Sequence, residues 1–338
     1  MDNAMNMPAS TDIRQMITGY WAAQMVYVAA KLGLADLLAS GGRTADELAR
    51  AAGVHADSLY RLLRALASLG VFREQEDGRF VMTESAQPLR SDVPDSQRAL
   101  ALMMGDEHFR CWGELLYCVQ TGHTAFEKLF GKPIFPYLGE HPEQGAIFDA
   151  AMVAVHGRES AAMLAAYDFS DLGVLADVGG GNGSTLSAVL SKYPRLRGIL
   201  FDLPAVVERA RPRLAAAGLA ERCDVVSGDF FAGVIGGADA YLLRHIIHDW
   251  DDARSITILS NLRRVIAANG KLLVVESVIP PGNEPSFGKL LDVNMLVIPG
   301  GRERTERQYR DLYRLSGFEL TQIIPTAAEV SVIEGRPV

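Results

Sequence analysis

Residues Leu172–Ala176 form a short apolar run, Asp177-Val-Gly-Gly-Gly-Asn-Gly183 follows it directly, and Ser184–Lys192 then has the make-up of a helix. A strand, a glycine-rich turn and a helix in that order open a twisted α/β sheet, and the turn is where nucleotide-like ligands bind. Glycines stand at 179, 181 and 183, and Ser184 occupies the place where the dinucleotide pattern G-x-G-x-x-G wants its third glycine. A dinucleotide turn carries a helix N-terminus to a pyrophosphate, whereas acidic-x-G-x-G-x-G lets bare backbone pass beside a zwitterionic amino acid and a ribose. S-adenosylmethionine has that chemistry and no phosphate. The plainer reading is a ligand-free turn between a buried strand and a helix.

The alternation continues. Strands near Val174–Val178, Gly198–Asp202, Cys223–Ser227, Ala238–Leu243 and Lys271–Ser277 are separated by helices to Lys192 and over Ala205–Ala217 and Ala253–Ala267. The expected fold over residues 171–338 is therefore α/β, a doubly wound, Rossmann-like parallel sheet that binds ligands beyond the carboxyl ends of its strands. Asp202, in Phe201-Asp-Leu-Pro204, ends the second strand nineteen residues after Gly183, where its carboxylate would accept both ribose hydroxyls. A helix cap before Pro204 is its alternative. Asp229 and Phe230, in Gly228-Asp-Phe-Phe231, follow the third strand and suit an adenine ring. A nicotinamide enzyme has no general need for that second acid, which favours S-adenosylmethionine.

The fourth strand runs into Arg244-His-Ile-Ile-His248-Asp-Trp-Asp-Asp252. A sulfonium is already an activated methyl donor, so an enzyme using it must supply an unprotonated nucleophile held in line. A phenol titrates near about 10, and an imidazole near about 6.5 is suited to take its proton during transfer. His248 is the candidate base. Glu276, ending the fifth strand, and Glu303, after Pro299-Gly-Gly301, are candidates to hold its other nitrogen.

Upstream, apolar residues from Ile13 to Val28 recur at helical spacing within Thr11–Ala39, on a helix that needs a partner. Gly41–Gly42 ends it. Helices over Ala45–Ala52, capped by Thr44, and Asp57–Leu69 precede short strands at Val71–Arg73 and Arg79–Met82, the order of a winged helix. From Arg43 to Arg90 seven arginines are offset by seven acidic residues, which removes the electrostatic footprint of nucleic-acid binding and leaves dimerisation as the expected role. The segment from Asp92 to Ser170 reads as helical, around Leu102–Met104, His108–Leu116, Phe148–Val155 and Ala161–Tyr167. Its large apolar residues suit a core or an aromatic pocket. Domain limits are set at 1–98, 99–170 and 171–338.

The net charge of −8, with 49% hydrophobic and 22% charged residues in 338, is that of an ordinary globular protein. Cys111, Cys118 and Cys223 are too few for a disulfide framework and lack zinc-site spacing; Cys111 and Cys118 are placed buried on one helix. Met1–Ser10 lacks the regions of a signal peptide, and no stretch is apolar enough to span a membrane. A cytoplasmic protein with no metal, no nucleic-acid partner and no membrane partner is expected.

Asp-Val-Gly-Gly-Gly-Asn-Gly, Phe-Asp-Leu-Pro, Gly-Asp-Phe-Phe, His-Asp-Trp, Val-Glu-Ser-Val-Ile-Pro and Gly-Gly-Arg-Glu-Arg-Thr occur here in the order of the caffeate-type small-molecule O-methyltransferases, which the chain resembles over nearly its whole length. It also resembles bacterial members that methylate polyketide, mitomycin-like and phenazine metabolites. The resemblance implies a homodimer formed through the N-terminal winged helix and S-adenosylmethionine as cofactor. Asp177, Gly179, Gly180, Gly181 and Gly183 would pass beside the methionine portion, Asp202 with Leu203 would hold the ribose, and Asp229 with Phe230 the adenine. Arg244 stands where plant members have a lysine that contacts the cofactor, His248 matches their base, and Glu276 and Glu303 match its flanking acids.

Met295, beside Asn294, falls where a methionine confines the aromatic acceptor, and Ile298 replaces an asparagine of the plant pattern, which points to a flatter, less polar acceptor. His108, Phe109, Trp112, Phe148, Met152 and His156 are the further lining residues expected. The function expected is O-methylation of a phenolic or polycyclic aromatic metabolite. N-methylation of a heterocycle, catalysis by proximity without a base, and a winged-helix regulator that senses S-adenosylmethionine are the alternatives.

Overall fold

The computed structural model describes residues 12–338, apart from the side chains of His156 and Arg158. Met1–Ser10, and Thr11 at the expected helix start, lie outside the described residues. The chain divides into two compact units, one of residues up to Gly113 with His141–Val155, the other of Glu114–Glu140 with His156–Val338. The stretch 99–170 contributes to both.

In the first unit α1 (Ile13–Lys31) stops earlier than its apolar pattern suggests, because Gly33 turns left-handed at φ 64° before α2 (Leu34–Leu38). Thr44 ends β1 (Arg43–Thr44) and caps α3 (Ala45–Ala52), with Glu47 reaching back to its backbone. Then come α4 (Ala56–Ser68), β2 (Phe72–Glu74) and β3 (Arg79–Met82), and the three strands pair antiparallel in the order β1-β3-β2. The winged-helix arrangement is as expected, with β1 as an added strand too short to read from sequence. Leu34, Leu48, Leu63, Leu66, Phe72 and Phe80 form its buried core. Against α1 lies α5 (Arg98–Gly105), where any side chain at Gly105 would overlap the Tyr27 ring, so glycine sets the approach of the two helices.

Helix α6 (Glu107–Trp112) ends at Gly113, and α7 (Leu115–Thr121) begins the second unit. This corrects the single helix expected over His108–Leu116. Cys111 and Cys118 are both buried, as expected, but on different helices. The second unit continues with α8 (Ala125–Phe130) and α9 (Ile134–Glu140), and α10 (Pro142–Ala166) runs unbroken where the sequence suggests two shorter helices.

The sheet of the second unit holds β4 (Val174–Val178), β5 (Arg197–Asp202), β6 (Cys223–Ser227), β7 (Ala240–Arg244) and β8 (Lys271–Glu276), with α11 (Ser184–Lys192), α12 (Pro204–Ala216) and α13 (Asp252–Val265) between them. After α14 (Phe287–Val297) and α15 (Glu306–Leu315), the hairpin β9 (Phe318–Pro325) and β10 (Ser331–Pro337) completes the order β6-β5-β4-β7-β8-β10-β9. Strands β4 to β8 are parallel and β10 is antiparallel to both neighbours. Alternate residues face opposite sides, as a pleated strand requires. Leu175, Leu200, Leu242 and Leu273 pack with α11, α12 and the end of α10, while Val178, Ile199, Leu243 and Val274 pack with α13 and α15. Strand order reverses between β4 and β7, which is where such a sheet opens a crevice for a ligand.

On α1, Ile13, Met16, Ile17, Tyr20 and Trp21 are exposed and follow the i, i+3, i+4, i+7 spacing of one helix stripe. Exposed apolar stripes of this kind mark contact surfaces. Ile17→Asp with Tyr20→Asp should weaken self-association at least about a hundredfold, the scale of losing two interface anchors. Light scattering after size exclusion reads this, and an unchanged mass would remove α1 from the interface.

Candidate active site

Three carboxyl ends of the sheet frame the glycine loop. Gly179, Gly181 and Gly183 have φ of 72°, 59° and 75°, the region L side chains avoid. A Cβ at Gly179 would enter the Ile246 side chain, and one at Gly180 would meet the Asp177 carboxyl carbon at 2.7 Å, so a tight turn packs on both faces. Asp202 binds this loop: one carboxylate oxygen accepts the Gly181 N–H at 2.8 Å and the other accepts the Leu203 N–H at 2.7 Å. Leu203 itself is exposed. Asp229 accepts the Phe231 N–H at 2.8 Å, and the Phe230 ring lies edge-on to Trp250 and near Gly179. The expected ribose and adenine residues thus gather around one loop.

Asp177 lies beneath it, 1% exposed, and its Oδ2 has no hydrogen-bond partner among the described residues. Burial raises this carboxyl to about 7, against the opposing pull of Arg244. An orphaned buried acceptor beside a cradle of bare backbone fits a cationic, side-chain-free ligand portion such as an amino-acid ammonium.

Arg244, at the end of β7, donates to Glu159 at 2.9 Å, to Ser160 at 2.8 Å and to Thr185. Glu159 also bonds the His245 ring at 2.8 Å. His245 has φ 53°, the one non-glycine residue at positive φ among those described, and burial holds its ring well below the ordinary histidine value. Glu159 and Ser160, on α10, carry no motif, since α10 approaches β7 only through the tertiary fold, and Thr185, in the first turn of α11, lies just past the glycine pattern.

His248 sits in a short turn, Ile247–Asp249, just beyond β7. Its Nδ1 meets Glu303 Oε1 at 2.6 Å. Glu276 holds the turn rather than the ring: its Oε1 accepts the N–H groups of Ile246, Ile247 and His248 at 3.1, 2.7 and 3.1 Å, and its Oε2 accepts the Tyr309 hydroxyl at 2.6 Å. The two glutamates therefore divide the work, one on the imidazole and one on the backbone. Arg304, fully buried, donates to the carbonyls of Ile247 and Trp250 at 3.1 and 3.0 Å and to Asp252 at 2.8 Å. Burial alone would lower the His248 ring, but the Glu303 charge, then Asp249, the Nδ1 hydrogen bond and Glu276 outweigh it and raise the ring to about 10.

Met295 and Ile298 are buried at the end of α14, and Asn294 accepts the Ile298 N–H through its carbonyl. His108, Phe109, Trp112, Phe148 and Met152 belong to the first unit, with His108 buried and lowered to about 4 by desolvation. The side chain of His156 lies outside the described residues.

Two family models match: the O-methyltransferase domain over residues 112–319 and the O-methyltransferase dimerisation domain over residues 14–91. The chain belongs to the O-methyltransferase family. It is 49% identical to the phenazine O-methyltransferase PhzM of Lysobacter antibioticus, over 98% of this chain and 97% of that one. It is 33% identical to the phenazine-1-carboxylate N-methyltransferase of Pseudomonas aeruginosa, over 98% of each. The crystal structure of NcsB1, an O-methyltransferase from neocarzinostatin biosynthesis in complex with S-adenosylmethionine and 2-hydroxy-5-methyl naphthoic acid, superposes with a TM-score of 0.88 at 33% identity, over 98% of this chain and 100% of that one. The expected fold class, the S-adenosylmethionine cofactor and the dimerisation module agree with these relatives. Among the described residues no helix is long and apolar enough to cross a membrane.

Two measurements test these electrostatics. Glu303→Gln removes the charge that raises His248, so the ring's midpoint in imidazole-labelled NMR should fall by about one pH unit or more; an unmoved midpoint would mean that Glu303 does not set it. Asp177 binds its proton more tightly folded than unfolded, so its contribution to stability falls as pH rises from about 4 through about 7. In cofactor-free protein, Asp177→Asn should flatten that slope and gain at least about 1 kcal/mol above pH 7, read by urea denaturation.

Proposed function

We propose that the protein transfers a methyl group from S-adenosylmethionine to a hydroxyl of a phenolic or polycyclic aromatic metabolite, a hydroxyphenazine-like ring being the favoured acceptor class, with His248 as general base. The observation that carries this is the Glu303–His248 contact of 2.6 Å, on a chain segment whose Ile246 side chain packs against Gly179 of the glycine loop. Glu303 keeps a proton on Nδ1, so the deprotonated ring presents Nε2 to an acceptor hydroxyl. When bound, the cofactor supplies a sulfonium-activated methyl group.

In this reading Gly179–Gly183 and Asp177 receive the amino-acid portion, Asp202 and Leu203 the ribose, and Asp229 with Phe230 the adenine. A carboxylate has room for more than the two N–H bonds Asp202 already accepts. Arg244 acts through Glu159, Ser160 and Thr185, which it ties together beside the loop. Met295, Ile298 and Asn294 would confine the acceptor. Residues 1–98 would serve dimerisation, 99–170 the pocket and 171–338 the cofactor, in a cytoplasmic enzyme.

N-methylation of a ring nitrogen is the second reading, favoured by the likeness to a phenazine-1-carboxylate N-methyltransferase. It needs no base, because a neutral aromatic nitrogen has no proton to lose. Transfer from methyl-labelled S-adenosylmethionine to hydroxyphenazines and phenazine carboxylates, with products identified by NMR, separates the two. His248→Ala should lose at least about two orders of magnitude of O-methylation, the scale of general-base catalysis. Its rate in the wild type should climb with pH as the raised ring deprotonates. A variant that keeps the wild-type rate sinks the base assignment.

A further inference from the structure

O-methylation through His248, the reading on which this inference rests, leaves a proton on a ring with little access to water. The His248 side chain is 8% exposed and Glu303 closes its Nδ1 side. Asp249, the next residue of the same turn, faces the other nitrogen: its Oδ1 lies 3.7 Å from Nε2, and its side chain is 18% exposed. That separation is longer than a hydrogen bond, so the transfer requires the carboxyl to approach the ring. Neither glutamate is placed for this task. Glu276 already receives three backbone N–H groups and the Tyr309 hydroxyl, and Glu303 lies buried on the Nδ1 side.

We propose that Asp249 is the proton exit of the reaction, a catalytic residue that takes the proton from His248 Nε2 and delivers it to solvent between turnovers. The acceptor O–H bond breaks with its electron pair staying on oxygen, and the proton bonds to Nε2. The N–H bond then breaks as an O–H bond forms on Asp249 Oδ1, and that proton passes to water or a buffer base. Both residues end as they began, with no change of oxidation state. Burial raises the Asp249 carboxyl to about 7, with His248 opposing and with Glu276 and Glu303 reinforcing the rise. The His248 ring holds its proton more tightly, which makes its discharge the step that needs a path.

Rapid-quench transfer from methyl-labelled S-adenosylmethionine to a hydroxyphenazine, in dilute and in concentrated formate or phosphate buffer, tests this with Asp249→Asn, Asp249→Glu and His248→Ala. Asp249→Asn should complete its first turnover within about threefold of the wild type, then slow at least about tenfold in steady state, with added buffer restoring the loss. Asp249→Glu keeps a carboxylate and should turn over without buffer dependence. Steady-state turnover of Asp249→Asn at the wild-type rate overturns the proposal. Equal loss of its first and later turnovers, or a raised KM at unchanged kcat, also overturns it, since either means that Asp249 binds or positions the acceptor. If His248→Ala keeps the wild-type first turnover, the base assignment fails and the relay with it. If His248→Ala is inactive while Asp249→Asn is unaffected, the relay alone fails.

Discussion

Two buried charges of opposite sign hold the turn that carries His248. Glu276, at the end of β8, takes the N–H groups at one end of the turn, and Arg304 takes carbonyls at the other. Neither charge could sit there unpaired, because an isolated ion in such surroundings costs several kcal/mol. Their presence is tolerable because their lone pairs and protons are used, Glu276 on three turn N–H groups and the Tyr309 hydroxyl, Arg304 on the turn carbonyls, Asp252 and Ser255. The turn and its two clamps therefore stand or fall together, and the sheet supplies the rigid frame that puts β7 and β8 side by side.

The same logic fails at Asp177 and Glu303, each of which keeps one oxygen without a partner among the described residues. Stability alone would not leave buried acceptors orphaned. Such orphaned acceptors, together with the raised Asp177 and His248, are the electrostatic pattern that functional sites share.

Much of this was legible in the residues. The glycine spacing and the strand-end acids gave the sheet and the ligand edge, since turn chemistry and period-two burial are local properties. Glu303 and Glu276 were both recognisable as partners of His248, but their division between ring and backbone was not, because it depends on where the loop after Gly301 folds back. Packing explains that path: Gly301 lies directly against the His248 carbonyl, with no room for a side chain. Glu159 and Tyr309 were invisible for the opposite reason, as polar residues on helices whose sequence says nothing about which strand end they meet. The single helix expected across Gly113 overrated a hydrophobic pattern that a glycine interrupts.

Asp202 accepts the Gly181 and Leu203 N–H groups, so the protein's own hydrogen bonds fix the glycine loop. A preorganised cradle spends little of its binding energy on ordering itself. Encounter should then proceed at rates set by diffusion and charge, and differences among ligands that share the adenosine portion should appear as differences in dwell time.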